Sequence, residues 1–211
     1  YERGATPNPC IDCNRYMKFE KLYQRARELG CDTIVTGHYA RICRDEGRGR
    51  WLLLRAANRA KDQSYVLYFM SQEQLSHTRF PLGAYQSKEQ VRELAEKYGF
   101  ANARKHDSQD ICFTSGRNYS DFIQEYTGKT YPEGDFVDCS GSVLGKHRGI
   151  IRYTIGQRRG LGLSLPASLY VCRKDLKENR VVLSPEEGLY TSSLIADDFN
   201  WIACEPPALP M

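Results

Sequence analysis

Apolar residues near the start of the chain recur at helical spacing. Phe19, Leu22, Tyr23 and Ala26 fall at i, i+3, i+4 and i+7, the stripe of an amphipathic helix that Gly30 can close. Thr33-Ile34-Val35-Thr36 is a β-branched run ended by Gly37, which predicts a buried strand of a helix-covered sheet. Ligands of such sheets sit at the carboxyl ends of strands, so Gly37, His38 and Tyr39 stand where a small molecule would be met. The ordinary alternative for His38 is a surface-loop histidine. A second helix is expected to begin near Asp62 or Ser64. A third is better marked: Ser87 and Gln90 form a capping box ahead of Val91, Leu94, Ala95 and Tyr98, and Gly99 ends it. A polar loop over residues 102–110 leads into Ile111-Cys112-Phe113, and a fourth helix carries Phe122, Ile123 and Tyr126 before Gly128. After Pro132 the helical stripes stop and glycines recur. Asp135 to Asp138, Leu169 to Arg173 and Arg180 to Leu183 then read as hairpin strands. The pattern predicts an α/β part over residues 1–131, a small β-rich part over 132–164 and the start of a further β-domain over 165–211.

Composition narrows the class. With 211 residues, 41% hydrophobic and 27% charged, the chain can bury a core without covalent staples. No apolar run approaches the roughly 20 residues of a membrane span, and no leader-like segment stands at Tyr1. The expectation is a cytoplasmic protein without membrane contact. In a reducing compartment most of the eight cysteines are small buried apolar residues. The net charge of +4 decides little, but its distribution is uneven. From Cys139 through Lys174 there is no acid, against Lys146, Arg148, Arg152, Arg158, Arg159, Arg173 and Lys174. Arg41, Arg44, Arg48, Arg50, Arg55, Arg59 and Lys61 make a second cationic region with only Asp45 and Glu46 among them. Cations mixed with glycines and an aromatic, as in Tyr153 to Gly162, suit a surface that tracks phosphates.

Two thiols stand in reactive surroundings. Cys10-Ile-Asp-Cys13 is a C-x-x-C spacing preceded by Thr6-Pro7-Asn8-Pro9, which holds the backbone extended or turned, and followed by Asn14, Arg15 and Lys18. Cationic neighbours favour the thiolate. Two loop cysteines without function are the ordinary alternative. Cys112 follows Lys105, His106 and Asp107; between Ile111 and Phe113 it reads equally well as a buried strand cysteine. Two poised thiols can pair across one cleft.

Five segments in order then carry a resemblance: Thr-Pro-Asn-Pro-x-x-x-Cys-Asn from Thr6, Thr-Gly-His-Tyr-Ala-Arg from Thr36, Lys-Asp-Gln-Ser-Tyr from Lys61, Asp-Ser-x-x-Ile-Cys-Phe from Asp107 and Tyr-Thr-Ile-Gly-Gln-Arg-x-Gly-Leu-Gly from Tyr153. The sequence resembles the tRNA-specific 2-thiouridylase family over Thr6 to Gly162, and more weakly through Trp201. The resemblance implies the C-terminal part of a PP-loop domain of the adenine nucleotide alpha hydrolase-like class, then a small β-rich RNA-binding domain and the beginning of a β-barrel. It implies ATP with Mg2+ as cofactor, the anticodon arm of tRNA as substrate and a persulfide sulfur-donor protein as partner. By motif, Cys13 is similar to the family's nucleophile and Cys112 to the cysteine that carries the persulfide, and the two can become a disulfide. Asn8, Pro9 and Cys10 are similar to the segment touching the target base, Gly37 to an ATP contact, and His38, Lys61, Asp62 and Gln63 to tRNA contacts; Lys146, Arg148, Arg158 and Arg159 are expected to hold phosphates. Many members carry an aspartate where Cys10 stands. A third thiol raises an alternative in which Cys10, Cys13 and Cys112 hold a [4Fe–4S] cluster or zinc, set against Cys10 as a spectator. The family's Ser-Gly-Gly-x-Asp-Ser phosphate loop is absent from these residues, so the segment alone is expected not to thiolate tRNA. The rival class is a non-catalytic RNA-binding or metal-binding module.

Overall fold

The computed structural model describes residues 1–105, 111–114 and 116–208, which form two compact units. Asn8–Asp107 with Ala196–Met211 make a helix-rich unit, and Tyr1–Pro7 with Ser108–Ile195 make a sheet unit.

In the helix-rich unit, α1 (Pro9–Asp12) continues into a π-helical stretch, Cys13–Leu22, and then α2 (Tyr23–Glu28). Asn8 caps the start, its side chain accepting from Cys10 N at 3.1 Å, and Pro9 takes the position whose N–H has no helical acceptor. The end closes at Gly30, whose φ of +74° suits glycine, with Gly30 N donating to Arg27 O and Cys31 N to Ala26 O. The predicted helix is present, but its face is rotated. A π-turn takes more residues than an α-turn, so the buried pair is Asn14 and Phe19, five apart, while Leu22 is 51% exposed.

Two strands, β1 (Ile34–Val35) and β4 (Thr78–Arg79), pair in parallel. Ile34 is buried but Val35 is 64% exposed, so the strand expected to be covered on both faces is covered on one. Between them lies an antiparallel hairpin, β2 (Ala40–Asp45) with β3 (Arg50–Arg55). The second expected helix is instead two 3-10 turns, Arg59–Lys61 and Ser64–Leu67. The Asp62 carboxylate accepts from Ala56 N at 2.8 Å and Ser64 Oγ at 2.7 Å, and holds the chain in a turn between them. Helix α3 (Gln72–Ser76) and helix α4 (Lys88–Lys97) each begin with a capping box, at Ser71/Gln74 and Ser87/Gln90. Phe19, Ala40, Val66, Leu67, Met70, Leu75 and Phe80 form the core. The segment after Ala196 returns to this unit: Asn200 Nδ2 donates to Tyr68 O and Met70 O, Gln72 Nε2 to Ile202 O, and Arg50 to the carbonyls of Trp201 and Ile202.

In the sheet unit, α5 (Tyr119–Thr127) is capped by Asn118 and ends at Gly128. Strands β5 (Gly134–Val137), β6 (Val143–His147), β7 (Tyr170–Asp175) and β8 (Arg180–Ser184) form one sheet in the order β6-β5-β8-β7, with only β5 and β8 parallel. Strands from both sides of Leu165 therefore share a sheet and a core of Phe136, Ile150, Ile151, Tyr153, Leu161, Val171, Val181 and Leu183. Helix α5, which precedes Pro132, is tied to this unit by Tyr119 Oη donating to Ile151 O at 3.0 Å and by the Arg152–Asp121 ion pair at 2.6 Å. Among the described residues no helix is long and apolar enough to cross a membrane.

Candidate functional site

Cys13 is half-buried at the first position of the π-helical stretch, and Cys10 is exposed one turn earlier. π-Windings recur at functional sites because they turn side chains off the regular helical face. The next residue, Asn14, is 3% exposed and its Oδ1 has no hydrogen-bond partner. A buried acceptor left open is costly and calls for a reason. Its signal in the sequence was only the Cys-Asn pair. Arg15 does not stand over the thiol as a free cation: it pairs with Asp198 at 3.2 Å and lies 5.5 Å from the centre of the Tyr16 ring.

At the carboxyl end of β1, Thr36 Oγ1 lies 2.8 Å from His38 Nδ1. His38 is 8% exposed, packed near Phe19 and Phe80, so it is not a surface-loop histidine. Burial, and next the Lys18 charge, push it down to about 4, and the ring is neutral near pH 7. Gly37 is exposed and has room beside it: a Cβ there would meet Leu82 Cδ1 at an ordinary 3.6 Å. Asp62 and Gln63 are already engaged. Burial alone would raise the Asp62 carboxyl, but the Ala56 and Ser64 hydrogen bonds hold it below its usual range. Gln63 Oε1 accepts from Tyr39 N at 2.9 Å and Gln63 N donates to Tyr39 O at 2.8 Å, clamping the strand-end loop. These two side chains position that loop. Lys61 sits on the 3-10 turn Arg59–Lys61.

Cys112 belongs to the sheet unit, where it opens a 3-10 turn, Cys112–Thr114, and is exposed beside the half-exposed Phe113. The buried-strand reading is thereby corrected. His106 and Asp107 lie outside the described residues. Of the acid-free cations, Lys146 pairs with Asp135 at 2.6 Å because the β5–β6 register sets them opposite each other. Arg152 pairs with Asp121, and Lys174 donates to Tyr153 O with its ammonium pushed down by burial. Arg148, Arg158 and Arg159 have no acidic partner among the described residues. Arg158 lines a cavity of about 310 Å³ with Gly160, Leu161 and Gly162.

Two cofactor expectations can be set against this geometry. Among the described residues no three His, Cys, Asp or Glu side chains gather to hold a metal; Cys10 and Cys13 belong to the helix-rich unit and Cys112 to the sheet unit. ATP phosphates need a cradle of open N–H groups. Asn8, Ser71, Ser87 and Asn118 each cap a helix start with their own side chain.

The model of the tRNA methyl transferase HUP domain matches residues 1–116, and that of the tRNA methyl transferase PRC-barrel domain matches residues 120–185. The chain belongs to this family. Its helix-rich and sheet units contain most of the HUP and PRC-barrel matches respectively. Among curated relatives, the chain is 45% identical over 211 residues to the tRNA-specific 2-thiouridylase MnmA of Clostridioides difficile, covering 100% of this chain and 58% of that one. It is 48% identical to that of Acetivibrio thermocellus, with the same coverages, and 48% identical over 204 residues to that of Symbiobacterium thermophilum, covering 96% of this chain and 52% of the relative. The chain thus spans somewhat more than half the length of these relatives.

Proposed function

We propose that the complete protein makes 2-thiouridine in tRNA, transferring sulfur from a persulfide on Cys112 to C2 of the wobble uridine, with Cys13 as the thiol that attacks the persulfide's inner sulfur or resets it. What carries this reading is the likeness to named 2-thiouridylases along the whole chain, with both motif thiols present and accessible. If Cys13 attacks, its sulfur bonds to the Cys112 sulfur, hydrosulfide leaves with the outer sulfur, and a reductant later cleaves the disulfide. ATP activation of the base is part of the proposal for the complete protein; from this chain it takes only a contact at Gly37. Asn8, Pro9 and Cys10 face the target base, which is turned out of its stack. His38 and Lys61 meet tRNA near the strand end, while Arg148, Arg158 and Arg159 hold phosphates.

The family description speaks of methyl transfer and the relatives' names of thiolation. Nucleoside mass analysis of tRNA treated with the complete protein separates them, since one adds a methyl group and the other exchanges oxygen for sulfur. Replacing Cys112 by Ser should abolish the sulfur exchange and leave tRNA affinity intact. Unchanged sulfur exchange in that variant would remove Cys112 from the reaction, and tRNA bound but not modified by the unaltered complete protein would favour the non-catalytic RNA-binding module.

A further inference from the structure

The sheet unit holds a second pair of thiols that the proposed sulfur transfer does not use. Cys172 is the extra residue of a β-bulge: β7 pairs Val171 with Leu183 and Arg173 with Val182, leaving Cys172 without a partner on β8. A bulge breaks the alternation of side chains and re-aims the odd one. The Cys172 Sγ lies 3.4 Å from Val182 O. Cys139 stands in the turn joining β5 to β6, held by Asp138, whose carboxylate accepts from Ser140 N at 2.8 Å and Ser142 N at 2.9 Å. Its Sγ lies 3.7 Å from Leu183 O, the carbonyl next to the one that Cys172 meets. The thiols also act on each other: burial first, then the charge and hydrogen bonding of Cys172, push the Cys139 thiol up. Cys139 is exposed and Cys172 half-buried, so a small reagent can reach the pair.

We propose that Cys139 and Cys172 are a dithiol site that a peroxide converts to an intramolecular disulfide. One thiolate attacks a peroxide oxygen, the O–O bond breaks and hydroxide leaves, and the sulfur becomes a sulfenic acid. The proton that the first thiol gave up on becoming a thiolate converts the hydroxide to water; the second thiol then displaces the sulfenic hydroxyl, which leaves with that thiol's proton as a second water. Two thiols and one peroxide become one S–S bond and two waters. A thiol reductant reverses the change. The bond closes a loop that carries Arg148, Arg158 and Arg159, so oxidation stiffens the segment with the acid-free cations. The disulfide itself does not depend on the tRNA reading.

The test uses the full chain treated with hydrogen peroxide, alkylated and digested with trypsin without reduction. Peptides 130–146 and 160–173 each contain one cysteine, Cys139 and Cys172. The expected product is the two joined, two hydrogens lighter than their sum, with a raised Tm of the chain that dithiothreitol reverses. Cys172→Ser and, independently, Cys139→Ser at the exposed position should each remove the joined peptide and the Tm rise. The proposal is overturned if Cys139 stays fully alkylatable after peroxide, or ends as sulfinic acid or paired with another cysteine while peptide 160–173 remains reduced.

Discussion

At the scale of single residues, His38 is the clearest case of an environment that a motif does not reveal. Burial and Lys18 push it down to about 4, whereas an unfolded imidazole titrates near ~6.5. Between those values the unfolded chain takes up a proton that the folded chain refuses. The stability from the neutral ring is whole above pH ~6.5 and is lost as pH falls toward ~4. The full gap corresponds to about 3 kcal/mol, and solvent reaching the ring edge reduces the expected loss to about 1–2 kcal/mol. His147, also pushed down by burial, adds a loss of the same sign. Denaturant melts at neutral and mildly acidic pH should show it, and His38→Gln should flatten the slope by its share. Position and type were legible here: a histidine after a strand-ending glycine. Its burial was not, because Phe80 and Phe19 reach it from distant parts of the chain. The same holds for Lys146, whose charge looked free until the strand register placed Asp135 against it. Arg158→Ala with Arg159→Ala should therefore lower RNA affinity and flatten the salt dependence by roughly one unit of slope for each phosphate no longer neutralised. Lys146→Ala should do less, and filter binding across a salt series checks both.

At the scale of elements, caps and turn residues were legible and pairings were not. Helix α4 begins directly after its cap Ser87, as the capping box predicts, because that signal is complete within four residues. The β2–β3 hairpin went unread because arginines in and around both strands drew the segment into a cationic region, although Trp51-Leu52-Leu53-Leu54 is a short apolar run of strand length. Several of those arginines are structural: Arg41 Nε donates to Arg55 O at 2.9 Å, and Arg44 lies 5.6 Å from the Trp51 ring. The hairpin also explains the glycine inside the 3-10 turn Pro81–Ala84, where the backbone has no left-handed φ to require one. At Gly83 a Cβ would fall 1.6 Å from Ala40 O, the first residue of β2. Gly83→Ala must push the backbone of one or the other aside, and should cost about 2–3 kcal/mol in chemical denaturation. A cost below half of that would mean the close approach relaxes freely.

At the scale of the whole molecule, the C-terminal strap was the least legible part, since most of its bonds are backbone carbonyls, its own met by Arg50 and Gln72 and those of Tyr68 and Met70 met by its Asn200, and they carry no sequence pattern. Arg50 is the principal tie, donating to the Trp201 and Ile202 carbonyls and pairing with Glu205. Arg50→Ala should free the strap, seen as faster proteolytic cleavage within residues 196–208 than in the unchanged chain, with a stability loss of about 1–3 kcal/mol. Equal cleavage rates would show that the other bonds suffice.

The interleaving of the two units sets an order in time. Residues 8–107 leave the ribosome well before residues 196–208, and all of 108–195 must be made in between. At ordinary translation speeds that interval is on the order of ten seconds. Throughout it Arg50, Gln72 and the Tyr68 and Met70 carbonyls wait for partners that are 130 or more residues away. Among the described residues the four paired strands of the sheet unit are made by Ser184, so this sheet can close first. The helix-rich unit, although its first part is synthesised earlier, is completed after that sheet, and during the wait its open donors and acceptors are exposed to any chaperone or neighbouring nascent chain that offers a backbone carbonyl or N–H.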